Sequence, residues 1–233
     1  MTTKGFQICY HQGNTFAKPN GDAEDYRNNT KNLTSLQAHI AFFDADCDGI
    51  IWPLDTFLGF LSLGFGLPFS LMAGILINGA FSYPSKPRHG ILGWLPDPFF
   101  RIWIRNIRHC KHGSDLDIYS HQGQFQPDSF RALLERYSSR ANKEELSFWD
   151  TLGSLREEGD LYDFVGMIIF ALEWFSVYVF LRPESGYMKK DDILGVLDGS
   201  MFPVIALRNR RNHHLIQPLR PFAVLLGLVR SLF

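Results

Sequence analysis

Secretory chemistry is what this sequence most visibly lacks. Three cysteines, Cys9, Cys47 and Cys110, are scattered through 233 residues. Their odd number and unrelated spacing indicate neither a disulfide framework nor a zinc site, and a reducing, intracellular setting suits them best. The N-terminal stretch stays polar through Gln37 with no apolar run, so no secretory leader is expected. Asn28-Asn29-Thr30 and Asn32-Leu33-Thr34 are then glycosylation sequons in form only. A surplus of either charge is also missing. Lys and Arg number 23 against 24 Asp and Glu, for a net charge of -1, which implies no nucleic-acid partner. Charge is absent altogether from Thr56 to Ser85.

What is there begins with Asp44-Ala45-Asp46-Cys47-Asp48-Gly49-Ile50-Ile51-Trp52-Pro53-Leu54-Asp55, which reads as a twelve-residue EF-hand loop. A hard dication takes oxygen ligands, and loop positions 1, 3 and 5 are Asp44, Asp46 and Asp48. Gly49 permits the sharp turn at position 6, and Ile50 offers its backbone carbonyl at position 7. Asp55 stands at position 12 in place of the longer Glu, which leaves calcium and magnesium both open. Trp52 at position 9 has no ligand to give. Thr34-Ser35-Leu36-Gln37 predicts a capping box opening a helix, with Leu33, Leu36, Ile40 and Phe43 at helical spacing. A second helix is expected from near Asp55. His39 shares the apolar face of the first, where a satisfied core histidine is the plain reading.

The uncharged run is long enough for a bilayer span, but Gly64, Gly66 and Pro68 interrupt it, and Pro84, Pro87, Pro96 and Pro98 follow. Two short pieces dipping into a lipid surface are expected; a buried core helix is the alternative. Arg101, Arg105 and Arg108 predict one basic helical face, either interfacial or simply solvated. Phe164–Leu181 reads as a buried helix. Gly123, Gly186 and Glu144-Glu145 mark degenerate echoes of the first loop without its acidic set. The expected pairings are 118–129 with 44–55, and 139–150 with 181–192. Aromatic residues make up 15% of the chain, 21 of them Phe, which suggests that something apolar is bound.

Several stretches together resemble the caleosins, also called peroxygenases. They are Leu36-Gln37-Ala38-His39-Ile40-Ala41-Phe42-Phe43-Asp44, Asp48-Gly49-Ile50-Ile51, Ser82-Tyr83-Pro84, Trp94-Leu95-Pro96, Lys111-His112-Gly113-Ser114-Asp115 and Leu197-Asp198-Gly199-Ser200. The resemblance implies calcium, haem b held by histidine, and oxygen transfer from hydroperoxides to unsaturated fatty acids. It puts the family's two haem-associated histidines on His39 and His112. His109 is a substitute for His112, and Cys110 a lesser one. It further implies a lipid droplet, endoplasmic reticulum or other endomembrane, on the cytosolic face, and allows a homo-oligomer. Arg101 stands where the family's knot often has another proline.

The expectation is a mainly α fold of EF-hand helix–loop–helix units, one ion-binding and the others degenerate, with a proline-punctuated apolar membrane-inserting segment. The organisation expected is a flexible lead over 1–31, the calcium-binding unit over 32–66, and the apolar hairpin and proline knot over 67–99. A helical domain over 100–202 and an unmatched basic-apolar tail over 203–233 complete it. A non-catalytic structural protein of the droplet surface and a soluble calcium sensor are the rival readings.

Overall fold

The computed structural model describes residues 23–88, 91–111, 116–158, 164–181 and 183–211. Its helices are α1 (Ala23–Thr30), α2 (Ser35–Ala41), α3 (Pro53–Ser62), α4 (Leu67–Ser85), α5 (Pro127–Tyr137), α6 (Phe148–Glu158), α7 (Phe164–Leu181), α8 (Lys190–Leu197) and α9 (Met201–Arg211). Four short strands accompany them: β1 (Ile50–Ile51), β2 (Ile102–Trp103), β3 (Glu145–Ser147) and β4 (Tyr187–Lys189). The mainly helical expectation holds.

Local chemistry sets most helix starts. The Thr34 hydroxyl accepts the Gln37 N–H at 3.3 Å, and the Gln37 amide oxygen accepts the Thr34 N–H at 3.1 Å, so two donors at the start of α2 are satisfied reciprocally. α3 opens on Pro53, whose missing N–H costs nothing in a first turn, while Asp55 accepts the Trp52 N–H at 2.8 Å. The uncharged run breaks where Gly64 adopts φ +91°, and α4 restarts with Pro68 in its first turn. The run is therefore two helices packed as a hairpin. Among the described residues no helix is long and apolar enough to cross a membrane.

The strands confirm one expected pairing and correct the other. β3 and β4 are antiparallel, with Leu146 opposite Met188, joining 139–150 to 181–192. β1, however, pairs with β2, Ile50 facing Trp103 and Ile51 facing Ile102, and not with 118–129. The latter stretch closes on itself, Tyr119 bridging Phe125, and so offers no free edge. It braces α2 instead, where the Gly123 carbonyl accepts the Leu36 N–H at 3.0 Å.

The predicted basic helical face is also corrected. Only Ile104–Cys110 is helical, as a 3₁₀ turn, and Arg101 lies before it. Its guanidinium grips buried Asp97 with Nε at 3.1 Å and Nη2 at 2.9 Å. It also packs on the rings of Trp52, Phe99 and Trp103 at 5.1–5.4 Å. A paired, stacked arginine is not available to a shared cationic face. Arg105 and Arg108 remain exposed, three apart and so eclipsed in a 3₁₀ turn.

Much of the phenylalanine goes into one core, where Phe42, Phe60, Phe65, Phe69, Phe175 and Phe202 meet. A second core gathers Leu133, Leu146, Phe170, Trp174, Met188 and Ile193. α7 contributes to both and is a buried helix, as its sequence predicts. Ala23–Thr30, at the end of the segment expected to be flexible, form a helix with Tyr26 buried. At the other end, Ile205 and Ala206 of α9 are core residues, while residues 212–233 lie outside the described residues.

Candidate functional site

Two sites share α2. Asp44, three residues past the end of α2, starts the loop and is fully buried, while Asp46 and Asp48 are exposed. One carboxylate oxygen from each falls within 4.8 Å of the others, the spacing that oxygen ligands take around an ion at about 2.3–2.6 Å. Asp44 accepts the Asp48 N–H at 3.2 Å and the Gly49 N–H at 2.9 Å, and Gly49 makes the turn at φ +82°. Burial, with Asp48 and Asp46 nearby, pushes the Asp44 carboxyl up to about 7, against the lowering effect of the Gly49 N–H. An added dication relieves that cost directly.

Ile50 fits its role as well. The Gly49 carbonyl accepts from Ile104 across the ladder at 3.1 Å, whereas the Ile50 N–H turns outward to Asp48 Oδ1 at 2.7 Å. In a strand the carbonyl of the same residue turns the same way, so the Ile50 oxygen faces the loop. Asp55 stands apart from the three-carboxylate cluster and caps α3. Burial first, then Asp46 and Asp48, raise its carboxyl.

Leu36, His39 and Ile40 of α2 line a cavity of about 260 Å³. Its walls are apolar, with Leu36, Phe43, Phe60, Ile77, Phe170 and Phe202 among them. His39 opens onto it. The ring Nδ1 lies 2.7 Å from the Val196 carbonyl, which only accepts, so Nδ1 carries the proton and Nε2 keeps its lone pair. Burial lowers the imidazole below its ordinary 6.5, outweighing Val196 and Asp198, which act the other way. A neutral ring with its second nitrogen anchored on a carbonyl is the arrangement that metal-bound histidines show. Such an imidazole beside apolar walls has the donor chemistry that a haem iron takes.

The remaining expectations fall around the cavity. Cys110 lines it, its thiol pushed up to about 12 by burial and donating to the Phe81 carbonyl at 3.5 Å. Lys111 lines it too, its ammonium donating to Tyr119 O at 2.6 Å and Asp117 Oδ1 at 3.0 Å. His112 lies outside the described residues, directly after that wall residue. His109 is exposed and outside the lining.

Sequence reasoning missed Asn78. Fully buried on α4, it donates to Ile51 O at 3.2 Å and Phe100 O at 2.9 Å and accepts from the Thr56 hydroxyl at 2.6 Å. It ties the acidic loop to a cavity wall. The signal was present, since Asn78 is the one amide side chain between Thr56 and Ser85.

Comparison with known proteins gives a family match, described as caleosin related protein, over residues 31–206. The chain is similar to the peroxygenase of Lilium longiflorum, 37% identical over 186 residues, covering 80% of this chain and 74% of that protein. It is 30% identical over 167 residues to probable peroxygenase 4 of Arabidopsis thaliana, covering 72% and 83%. An Arabidopsis protein named probable inactive peroxygenase-like protein is 24% identical over 144 residues, covering 62% and 66%. No solved structure matches.

Proposed function

The chain belongs to the caleosin family, and from that premise we propose that this enzyme is a calcium-loaded haem b peroxygenase. It moves one oxygen atom from a fatty-acid hydroperoxide to an unsaturated fatty acid at a lipid-droplet or endomembrane surface, leaving an alcohol and an epoxide or hydroxylated product. Its peroxygenase class follows the naming of its curated relatives.

The single observation that carries the cofactor is His39, neutral, anchored at Nδ1 on Val196 and lining an apolar cavity. Haem, when bound, supplies peroxide activation that no side chain can. The chain's own part is to hold the ring, exclude water and seat the acyl chain along the Phe-rich wall. His39 would hold the group, with His112 beyond Lys111 as the candidate for proton transfer from the peroxide.

Calcium would bind Asp44, Asp46, Asp48, the Ile50 carbonyl and Asp55, fixing the end of the helix that carries His39. The lipid surface would meet an exposed apolar face built from Leu54, Leu58, Leu67, Leu71 and Ile75, with Trp94, Leu95, Phe99 and Phe100 beside it. A patch of that kind on a soluble surface normally marks a contact.

The test is an absorption spectrum of the purified protein, with and without chelator, alongside hydroperoxide-dependent epoxidation of oleate. A Soret band that weakens in His39→Ala, and oxygen transfer that falls on ion removal, are expected. Colourless, inert protein that still floats with droplets would leave the coat-protein reading, which the exposed apolar face favours.

A further inference from the structure

The cavity's rim is small and uneven. Nearly every described residue that lines it is buried or half-buried; the exceptions are Met72 and Leu76 on α4, exposed to 37% and 41%, and Glu173 on α7. A side chain that both lines a cavity and meets the outside marks its mouth. Met72 and Leu76 are four residues apart, stacked on one edge of α4. Glu173 belongs to the facing helix, since Phe69 of α4 and Phe175 of α7 pack with ring centroids 6.0 Å apart. The mouth therefore has an apolar sill on α4 and one charged group on α7.

That sill borders a larger face. The outward positions of α4 include Leu67, Leu71, Met72, Ile75 and Leu76, spaced at helical period and all apolar. Its inward positions, among them Phe69, Ala73 and Asn78, are buried. Met72 and Leu76 thus belong at once to the exposed stripe and to the cavity wall.

We propose that the acyl substrate reaches the cavity sideways from the lipid phase, crossing the Met72–Leu76 sill between α4 and α7 without passing through water. This rests on the reading above, that the cavity is a peroxygenase site and α4 lies against lipid. Each methylene drawn into water and back would meet a barrier of about 0.8 kcal/mol, and an unbroken apolar track avoids it. The unbranched Met72 side chain yields to a passing chain better than a β-branched residue would. Glu173 puts charge on the α7 side of the mouth, which an acyl tail avoids by crossing over α4.

The experiment uses full-length, haem-loaded protein with cumene hydroperoxide as oxidant. The acceptors are oleate in phosphatidylcholine vesicles and, in parallel, thioanisole, a small molecule that needs no lipid route. Leu76→Trp narrows the sill, and the ratio of oleate to thioanisole turnover is expected to fall about tenfold with the Soret band retained. Leu76→Ala lowers the sill, and the same ratio is expected to rise about twofold. An unchanged ratio in both variants overturns the lateral route. So does a wild-type rate on oleate that is the same from vesicles as from detergent-free monomers below their solubility limit. If Leu76→Trp does not hold pigment, the Leu76→Ala ratio decides alone. A colourless and inert wild type removes the peroxygenase reading itself, a result distinct from an active enzyme whose variants keep its selectivity.

Discussion

The loop at 44–55 and the loop at 139–150 are built on one plan and furnished differently. In each, a short antiparallel strand leads straight into a helix whose third residue caps the start, Asp55 on Trp52 and Asp150 on Ser147. The first loop places Asp44, Asp46 and Asp48 at positions 1, 3 and 5. The second has Ser139, Ala141 and Lys143 there, and the Lys143 ammonium donates inward to Ser138 O at 2.7 Å. Position 5 thus carries a cation in the second loop and a carboxylate in the first. The scaffold evidently needs no ion to form, since the second unit is held by Leu146, Met188 and Ile193. Burial and its acidic neighbours raise the Asp44 carboxyl, a cost that a bound dication would relieve.

The largest expected effect separates stability from binding. Leu146→Ala removes a fully buried side chain from β3 and should cost about 3 kcal/mol in denaturant unfolding. Calcium affinity measured by calorimetry should not change; a coupled loss would mean that the two units act as one. Asp44→Ala should do the reverse, weakening calcium binding about 100-fold, or about 2.7 kcal/mol, with little effect on the second core.

Next comes the clamp beside the first loop. The Arg101 guanidinium holds the buried Asp97 carboxyl below its ordinary range. Its stabilisation is therefore complete above the unfolded carboxylate value of about 3.9 and is lost as pH falls through the lower folded value. Asp97→Asn should cost about 2 kcal/mol at neutral pH and abolish that acid-side slope in thermal melts.

The last effect has the opposite sign. Asp44 is raised, so in chelator its contribution is present below the unfolded carboxylate value and fades as pH rises through about 7. The melting temperature should drift down over that window, and calcium should erase the drift. Asp48→Lys, copying Lys143, should also erase it, at the expense of ion binding.

Local signals were the legible ones. The Thr34–Gln37 box, the glycine break before α4 and the acidic loop could all be read because neighbouring residues make them. Ile50's partner could not: Ile102–Trp103 lies some fifty positions away, and the turn at Gly123 mimics a paired loop while satisfying its own backbone. Arg101 misled for a related reason. Its spacing to Arg105 and Arg108 is helical, but Asp97 and three aromatic rings fix it outside the turn. His39 was visible as an apolar-face histidine, while its tautomer depends on Val196, far along the chain. His112 lies outside the described residues.

The seven residues of α2 bind two sites into a fixed phase. Inserting one residue within α2 between His39 and Ala41 would swing the imidazole about 100° around the helix axis relative to the acidic loop, away from the Val196 carbonyl. Length changes in this helix are thus forbidden where point changes on its outer face are tolerated. Any working variant must preserve the count between the two.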